Sequence, residues 1–256
     1  MNANQIRVDD RGAIHVHVVT RDTLALALEA AGLPSPGPVL VVVGGAGRMD
    51  AAELRRLTPL FTDGLAPAIE KVGAVAVDGG TDAGVMRLLG AAREARSASF
   101  PLVGVAAEGT VCLPGAASDP NDATNASDAT NANKANLEPY HTHFVLVPGD
   151  QWGDESSWIS ATASDLAGTA PSLTLLVNGG DIAYRDAALS VEAGRPLLVI
   201  RGSGRAADEI ATAIRGEPSD PRAHQIVRSG LVTYVDVADP RGVGAAVSAA
   251  LQPPTH

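Results

Sequence analysis

The chain of 256 residues is long enough for one large α/β domain or two small ones. Its formal net charge of −10 argues against a broad basic surface for nucleic acid, because neutralising phosphates needs clustered Lys and Arg. Its single cysteine, Cys112, excludes a disulfide within the chain, and no stretch reaches the roughly 18 apolar residues of a membrane span. We therefore expect a cytoplasmic protein with no membrane and no nucleic-acid partner.

Strands and helices are predicted to alternate from the N-terminal region onward. Residues 14–18 alternate apolar and polar side chains, as a half-buried strand does, and a helix is expected over residues 22–31. Residues 39–43 form an uninterrupted apolar run. Such a run is typical of a strand that is buried on both faces of a parallel sheet.

The next predicted helix begins after Asp50, which is a suitable N-cap, and Pro59 and Pro67 should break or kink it. The same unit then repeats to the end of the chain. Further strands are predicted over 74–77, 101–106, 174–177, 197–200 and 231–235, and helices over 84–96 and 242–251. This order predicts one Rossmann-like α/β domain over residues 1–256. It has a parallel sheet, helices on both faces and an extra N-terminal strand.

The polar segment 118–136 interrupts this pattern. It consists almost entirely of Asp, Asn, Ala, Thr and Ser, and it contains Asp-Ala-Thr-Asn-Ala twice. With no apolar periodicity it cannot bury enough surface to offset the entropy of ordering, so we expect an exposed, mobile low-complexity insertion. It lacks the glycine and terminal glutamate of an EF-hand loop, so no calcium site is predicted there.

Four glycine-rich turns each follow a predicted strand. Glycines let the backbone approach a ligand, and the helix that follows presents free N–H groups and the positive end of its dipole. Because parallel strands end at one edge of the sheet, we expect the turns to form one anion-binding site there. None of them is a Walker A sequence or a full GxGxxG fingerprint. The turns are Gly44-Gly45-Ala46-Gly47, Gly79-Gly80-Thr81-Asp82-Ala83-Gly84, Asn178-Gly179-Gly180-Asp181 and Gly202-Ser203-Gly204-Arg205.

Other polar side chains add to this candidate site. Arg205 and Arg87, each near the start of a predicted helix, are the charges available to anchor an anion. His141 and His143, two residues apart on an extended segment, should face the same side. A metal site needs about three protein ligands and no third is near in sequence, so we expect a structural or ligand-contacting pair and no metal. Trp152 is a candidate for stacking on a base.

Several sequence blocks occur in a fixed order between about residues 39 and 211. They read VGGA at 43–46, DGGTDAGVM at 78–86, HTHF at 141–144 and GSGRAAD at 202–208. In these blocks the chain resembles the prokaryotic LSDAT group of the SLOG superfamily, which is related to the cytosolic N-terminal region of melastatin-type transient receptor potential channels. The resemblance implies a Rossmann-like fold that binds or senses a nucleotide-derived ligand, with ADP-ribose, NAD or an AMP-like molecule expected and no further cofactor required.

The predicted ligand contacts come from two sources. Those that the resemblance implies are Gly44, Gly45, Ala46, Gly80, Thr81, Gly84, Val85, Met86, Gly202, Ser203, Gly204 and Arg205. Those that the turns and the polar cluster add are Gly79, Asp82, His141, His143, Asn178, Gly179 and Gly180. A homodimer and a separate effector protein are the protein partners left open.

Enzymatic cleavage is the first alternative. The superfamily includes phosphoribohydrolases whose PGGxGTxxE turn carries a catalytic glutamate. The corresponding stretch here, residues 178–186, reads NGGDIAYRD. Asp186 keeps a carboxylate but is one methylene shorter, and a misplacement of about 1 Å can cost about 100-fold in rate, so cleavage is not expected. The acid/base candidates for it are Asp82, Glu108, Asp181 and Asp186. A structural subunit with a vestigial ligand site is the second alternative.

Overall fold

The computed structural model describes residues 3–113 and 134–252. Within them, a nine-stranded sheet has the order β1-β2-β8-β5-β4-β3-β9-β10-β11, and β6 pairs with β7 beside it. The strands are β1 Asn4–Val8, β2 Arg11–His17, β3 Val39–Gly44, β4 Val75–Asp78, β5 Leu102–Ala107, β6 Val111–Cys112, β7 Ala135–Asn136, β8 His143–Val147, β9 Ser172–Val177, β10 Leu197–Arg201 and β11 Val232–Asp236. The helices are α1 Leu24–Ala30, α2 Ala51–Pro59, α3 Ala66–Val72, α4 Gly84–Ala95, α5 Ser156–Ala167, α6 Asp181–Glu192, α7 Arg205–Ile214, α8 Pro221–Val227 and α9 Pro240–Leu251.

The large sheet is parallel except at its N-terminal edge, where β1 pairs antiparallel with β2. From β3 the chain first builds outward through β4, β5 and β8, and then returns to place β9 on the other side of β3. The strand order therefore reverses between β3 and β9, which is where open parallel sheets leave a crevice for ligands. The predicted Rossmann-like sheet and its extra N-terminal strands are confirmed.

Helices cover both faces of the sheet, as predicted. Helices α1 and α5–α8 pack on one face, and α2–α4 with α9 pack on the other. Along β3, Val39, Val41 and Val43 belong to the first core and Leu40 and Val42 to the second, and all five side chains are buried. Burial on both faces explains why the strand reads as an unbroken apolar run. Within the residues described, no helix is long and apolar enough to cross a membrane.

The prolines of the second long helix, predicted to break or kink it, mark the places where the helix changes its type. Asp50 caps α2 by accepting from the N–H groups of Ala52 and Glu53 at 2.8 Å each, and α2 ends at Pro59. A π-helical segment, Leu60–Leu65, follows, and Pro67 then stands in the first turn of α3. The residues at both junctions keep right-handed helical dihedral angles, so the prolines coincide with changes of helix type and the chain stays helical from residue 51 to 72.

The end of the predicted insertion departs from expectation. Residues 118–133 lie outside the described residues, but Ala135–Asn136 forms strand β7 and pairs with Val111–Cys112. The Asn136 carbonyl also accepts a hydrogen bond from the N–H of Asp82 at 2.8 Å. Asn136 is exposed, as predicted, but the prediction of a mobile segment was wrong for residues 135–136, which form a paired strand. They are held by backbone hydrogen bonds, which the polar composition of their side chains does not reveal.

Candidate ligand-binding cleft

A cleft of about 990 Å³ opens at the carboxyl edge of the sheet, beside the point where the strand order reverses. The first and third glycine turns line it, together with Thr81 and Ala83 of the second turn and Arg205 of the fourth. The four turns thus meet at one edge, as the parallel sheet requires. Each nevertheless has a different part in the cleft.

The first turn packs directly on the second. Val85 donates its N–H to the Gly45 carbonyl at 2.9 Å. Gly84 has φ +49°, and a Cβ at this position would lie 1.9 Å from the same carbonyl oxygen. The start of α4 is therefore closed by the backbone of the first turn, and Gly84 is required for this close approach. Val85 and Met86 point into the core of the sheet face that α2–α4 cover.

The third and fourth turns are clamped together by Asn178 and Ser203. The Asn178 N–H donates to the Ser203 hydroxyl at 2.7 Å, and the Asn178 amide donates to the Ser203 carbonyl at 2.8 Å. Both residues are fully buried. Ala206 and Ala207, in the first turn of α7, donate their N–H groups to the Gly179 and Asn178 carbonyls at 3.1 Å. These amides hold the turns in place and are not available to a ligand.

The open part of the cleft therefore lies around the first turn and the start of α6. Gly180 at the N-cap of α6 has no side chain that could cover the first amides, and Gly180, Asp181 and Ile182 line the cleft. Opposite them are Gly45–Gly47 and the exposed Arg48. A helix start next to a glycine loop is suited to binding an anion such as phosphate.

Charges of both signs surround this opening. The lining residues include four cationic side chains, Arg48, Lys134, Arg205 and Arg222, and three carboxylates, Asp181, Glu209 and Asp220. Arg222 donates to Asp181 at 2.9 Å and to Asp220 at 2.7 Å. Its guanidinium also lies 4.0 Å from the centroid of the Tyr184 ring. Arg222 is thus already paired, while Arg48, Arg205 and Lys134 are exposed at the cleft.

Two exposed apolar side chains stand at the mouth of the cleft. Trp152, in the loop before α5, is 46% exposed, and Ile182, in the first turn of α6, is 39% exposed. Both belong to the cleft lining. An exposed tryptophan beside a cluster of cations gives the cleft a flat apolar surface next to a polar one, which is the combination that a base with attached phosphates would need.

The two histidines lie apart from the cleft and from each other. The His141 side chain is fully buried between Asp78 and Glu138, under the second turn. His143 begins β8, and its Nδ1 is 2.7 Å from the Thr142 hydroxyl. The expectation that they face one side is not met, because His141 stacks on Phe144, and Phe144 and His143 point to opposite faces of β8. No group of three His, Cys, Asp or Glu side chains suited to a metal ion occurs in residues 3–113 and 134–252.

The four carboxylates considered for acid/base chemistry are not brought together. Asp181 lines the cleft and is paired with Arg222. Asp82 is bound by Arg87 at 2.6 Å, and Glu108 is 2.8 Å from Nδ1 of His17. Burial raises the pKa of Asp186 to about 7. Oδ1 of Asp186 has no hydrogen-bond partner among the described residues.

Several lining residues had no signal in the sequence. Arg222 and Asp220 lie at the start of α8, about 40 residues beyond the third turn, and Lys134 lies within the polar segment 118–136. Tyr184 and Ile182 lie within residues 178–186, the stretch that corresponds to the phosphoribohydrolase turn. Arg48 directly follows the first turn, and its position beside that glycine loop is the feature that could have identified it.

The parallel sheet, the reversed strand order and the cleft at the reversal define a Rossmann-like α/β protein of the kind that carries its site at the carboxyl edge of the sheet. A family model described as "SLOG in TRPM, prokaryote" matches residues 37–245. The chain belongs to this SLOG family. The matched residues cover most of the described fold, including all four glycine turns.

Known relatives include two animal ion channels. The chain is 27% identical over 204 residues to transient receptor potential cation channel subfamily M member 2 of Rattus norvegicus, and equally to that of Mus musculus. The match covers 70% of this chain and 13% of each channel. A solved structure of a molybdenum cofactor carrier protein from Chlamydomonas reinhardtii is similar with a TM-score of 0.52 and 15% identity. That likeness covers 84% of this chain and 98% of the carrier, and it concerns the fold.

Proposed function

We propose that the protein binds a nucleotide-derived small molecule, with ADP-ribose or an NAD-related compound foremost, as a binding or sensing module. The observation that carries this proposal is the cleft between the ends of β3 and β9. There the start of α6 and the glycine loop at Gly45–Gly47 face the same space. The volume of the cleft, about 990 Å³, is at the upper end of the range of about 300–1,000 Å³ for small-molecule sites.

The parts of such a ligand correspond to different parts of the cleft. Its phosphates would lie between the first turn and the start of α6, where Arg48 and Arg205 can reach them. Its base would lie against Trp152 and Ile182 at the mouth. One helix start contributes only about 0.3–1 kcal/mol at an exposed site, so micromolar binding, which needs about 8 kcal/mol, requires all these contacts together.

Family membership supports the same class of ligand, because the family resemblance implies nucleotide-derived ligands. The matched segment is a small part of each channel, so the gating and ion permeation of those channels are not transferred to this chain. A cytoplasmic location, a homodimer and a separate effector protein remain predictions. Size-exclusion chromatography with and without ligand would show whether the chain associates with itself.

Thermal unfolding with ADP-ribose, NAD and AMP tests the binding proposal. A ligand at 100 times its Kd adds about 2.7 kcal/mol of stability, which for a chain of this size is a Tm increase of roughly 5–10 °C. Arg205→Ala should reduce the increase strongly, because it removes an exposed cation of the cleft. Arg228→Ala, at the end of α8 and outside the cleft lining, is the matched control and should leave the increase unchanged. No shift with any of the three ligands would favour a structural subunit with a vestigial site.

The same incubations decide between binding and cleavage. We expect no release of free base or ribose phosphate, because Asp186 lies outside the cleft lining and Asp181 is engaged by Arg222. Release that Asp186→Ala or Asp181→Asn abolishes would instead establish a hydrolase. Release that these two variants and the variants Asp82→Asn and Glu108→Gln all retain would point to a contaminating enzyme and leave the binding proposal standing.

A further inference from the structure

A buried ionic triad lies beneath the second glycine turn. The imidazole of His141 is fully buried, with Nε2 at 2.8 Å from Asp78 Oδ1 and Nδ1 at 2.7 Å from Glu138 Oε2. Each ring nitrogen thus faces a carboxylate oxygen, and two N–H donors on the ring satisfy both contacts. Burial by itself lowers the pKa of His141, but the carboxylates of Asp78 and Glu138 outweigh it and raise the pKa to about 9.

The triad holds both main-chain polar groups of Gly80. The Gly80 N–H donates to Asp78 Oδ1 at 2.7 Å, and the Gly80 carbonyl accepts from the Glu138 N–H at 2.9 Å. Gly80 has φ +69°, and a Cβ there would lie 2.8 Å from Cα of Gly104. The turn is therefore anchored at Gly80 by backbone contacts to two members of the triad, and Thr81 and Ala83 of the cleft wall follow directly.

The surroundings of the triad are shaped to accept it. Gly90 of α4 leaves the space that Glu138 fills, since a Cβ at Gly90 would lie 2.2 Å from Glu138 Oε2. The ring of Phe144 stacks on the imidazole with 5.4 Å between ring centroids. A helix, a strand and a loop thus all accommodate one charged group. Such a group is retained only when its partners are well placed, because burying charge is costly.

We propose that His141 is a positioning residue: as a buried imidazolium between Asp78 and Glu138, it fixes Gly80 and through it the part of the cleft wall formed by Thr81 and Ala83. The inference rests on the proposed function only in treating that wall as ligand-binding. It assigns a common purpose to two separate sequence blocks, DGGT at 78–81 and HTH at 141–143, which the fold brings together.

Few charged groups around His141 other than its own imidazole can titrate near pH 9. His141 is faced by Asp78 from β4 and by Glu138 from the segment before β8. Arg11 of β2 and Arg87 and Arg93 of α4 act on Glu138, and arginines stay charged well above pH 9. Tyr140, whose ring lies 4.5 Å from the guanidinium of Arg11, is the remaining titratable neighbour, and Tyr140→Phe controls for it.

Nuclear magnetic resonance of the unliganded protein between pH 7 and pH 10.5 tests the proposal. The ring nitrogens of His141 should show an imidazolium at pH 7 that titrates near pH 9, and the Gly80 amide should shift with the same midpoint. Gly32, another left-handed glycine with φ +73° at the end of α1, should not move. Tyr140→Phe should leave the Gly80 midpoint unchanged. A neutral His141 at pH 7, or a Gly80 amide that does not follow it, would overturn the proposal.

The variant His141→Gln tests whether the charge on His141 also affects ligand binding. His141→Gln keeps a donor near Asp78 but removes the charge, so the Gly80 amide should lose its titration, and the Kd for ADP-ribose should rise about tenfold, as for one lost hydrogen bond. An unchanged Gly80 titration in this variant would contradict the proposal. If His141→Gln does not fold, the titration of the natural protein still decides. If the natural protein binds none of ADP-ribose, NAD and AMP, the Gly80 titration decides the positioning role alone, and the proposed function fails separately.

Discussion

Gly84 stands where the second turn touches the first, and the space there excludes even a methyl group. Its φ of +49° is unfavourable for other residues, and an added Cβ would meet the Gly45 carbonyl oxygen at 1.9 Å. We expect Gly84→Ala to lower the free energy of unfolding by at least about 2 kcal/mol, because backbone strain and overpacking add. Urea denaturation measures this change.

Gly79→Ala is the control for that substitution. Gly79 belongs to the same turn, but a Cβ there would have nothing within 4 Å. Its cost should stay within about 1 kcal/mol. Equal destabilisation by the two variants would mean that the turn is sensitive to any side chain and that the contact between the first and second turns is not the reason.

His141 also predicts how stability depends on pH. Its pKa in the folded protein is raised from 6.5 to about 9, so its contribution is fully present below pH 6.5 and is lost as the pH rises through about 9. A shift of this size corresponds to a contribution on the order of 3 kcal/mol. We expect the free energy of unfolding to fall between pH 7 and pH 10, and to fall less in His141→Gln. A curve that is equally steep in both proteins would contradict this assignment.

Among the helices, the start of α2 connects local capping to the cleft. Glu53 accepts from the Asp50 N–H at 2.9 Å through Oε2, and its Oε1 lies 3.4 Å from the amide nitrogen of Asn178 in the third turn. Asp50 and Glu53 therefore complete a capping box, and the box also reaches the clamp between the third and fourth turns. The sequence predicted the cap but not its second contact.

Asp50→Ala tests what the cap contributes. Loss of an N-cap typically costs about 1 kcal/mol, which in a chain of this length is a Tm decrease of roughly 2–4 °C. Asp63→Ala, which removes an exposed carboxylate from the π-helical segment after α2, should change Tm by much less. A decrease of the same size in both variants would show that net charge, and not the cap, is responsible. Calorimetry gives both values.

The elements that the sequence predicted well are those determined by local patterns. Residues 39–43 read as a doubly buried strand because each side chain, on either face, meets apolar neighbours, and the glycine turn after them marks the carboxyl edge. The cleft residues Arg222 and Tyr184 could not be found in this way. Their contact depends on how α8 packs beside α6, which no spacing in the sequence encodes.

The same limit explains the placement of His141 and Ser203. Both belong to the sequence blocks that carry the family resemblance, and both are buried in contacts between backbone segments. A residue that holds a turn and a residue that contacts a ligand can occur in the same sequence motif, because each is needed for the same site. The motif alone therefore does not show which of the two roles a residue has. Burial distinguishes them, and burial of a polar residue follows from tertiary packing.

At the scale of the whole molecule, the two cores share one sheet. Neighbouring residues of β3, Leu40 and Val41, belong to opposite cores, so loss of either core exposes side chains of a strand that also supports the other core and pairs with β4 and β9. The fold is therefore expected to behave as the single domain that the sequence predicts. Unfolding should then be one transition, whichever face reports it.

Matched substitutions on the two faces test this expectation. Leu89→Ala in α4 and Leu166→Ala in α5 each remove a fully buried side chain, one from each core. Each should cost about 2–5 kcal/mol. Both should shift the same single transition, seen alike by far-ultraviolet circular dichroism and by tryptophan fluorescence. Trp158 packs against the core that contains Leu166, so in a Trp152→Phe background its fluorescence reports that face. If Leu89→Ala lowered the midpoint by circular dichroism but not by fluorescence, the two faces would unfold separately and the chain would contain more than one domain.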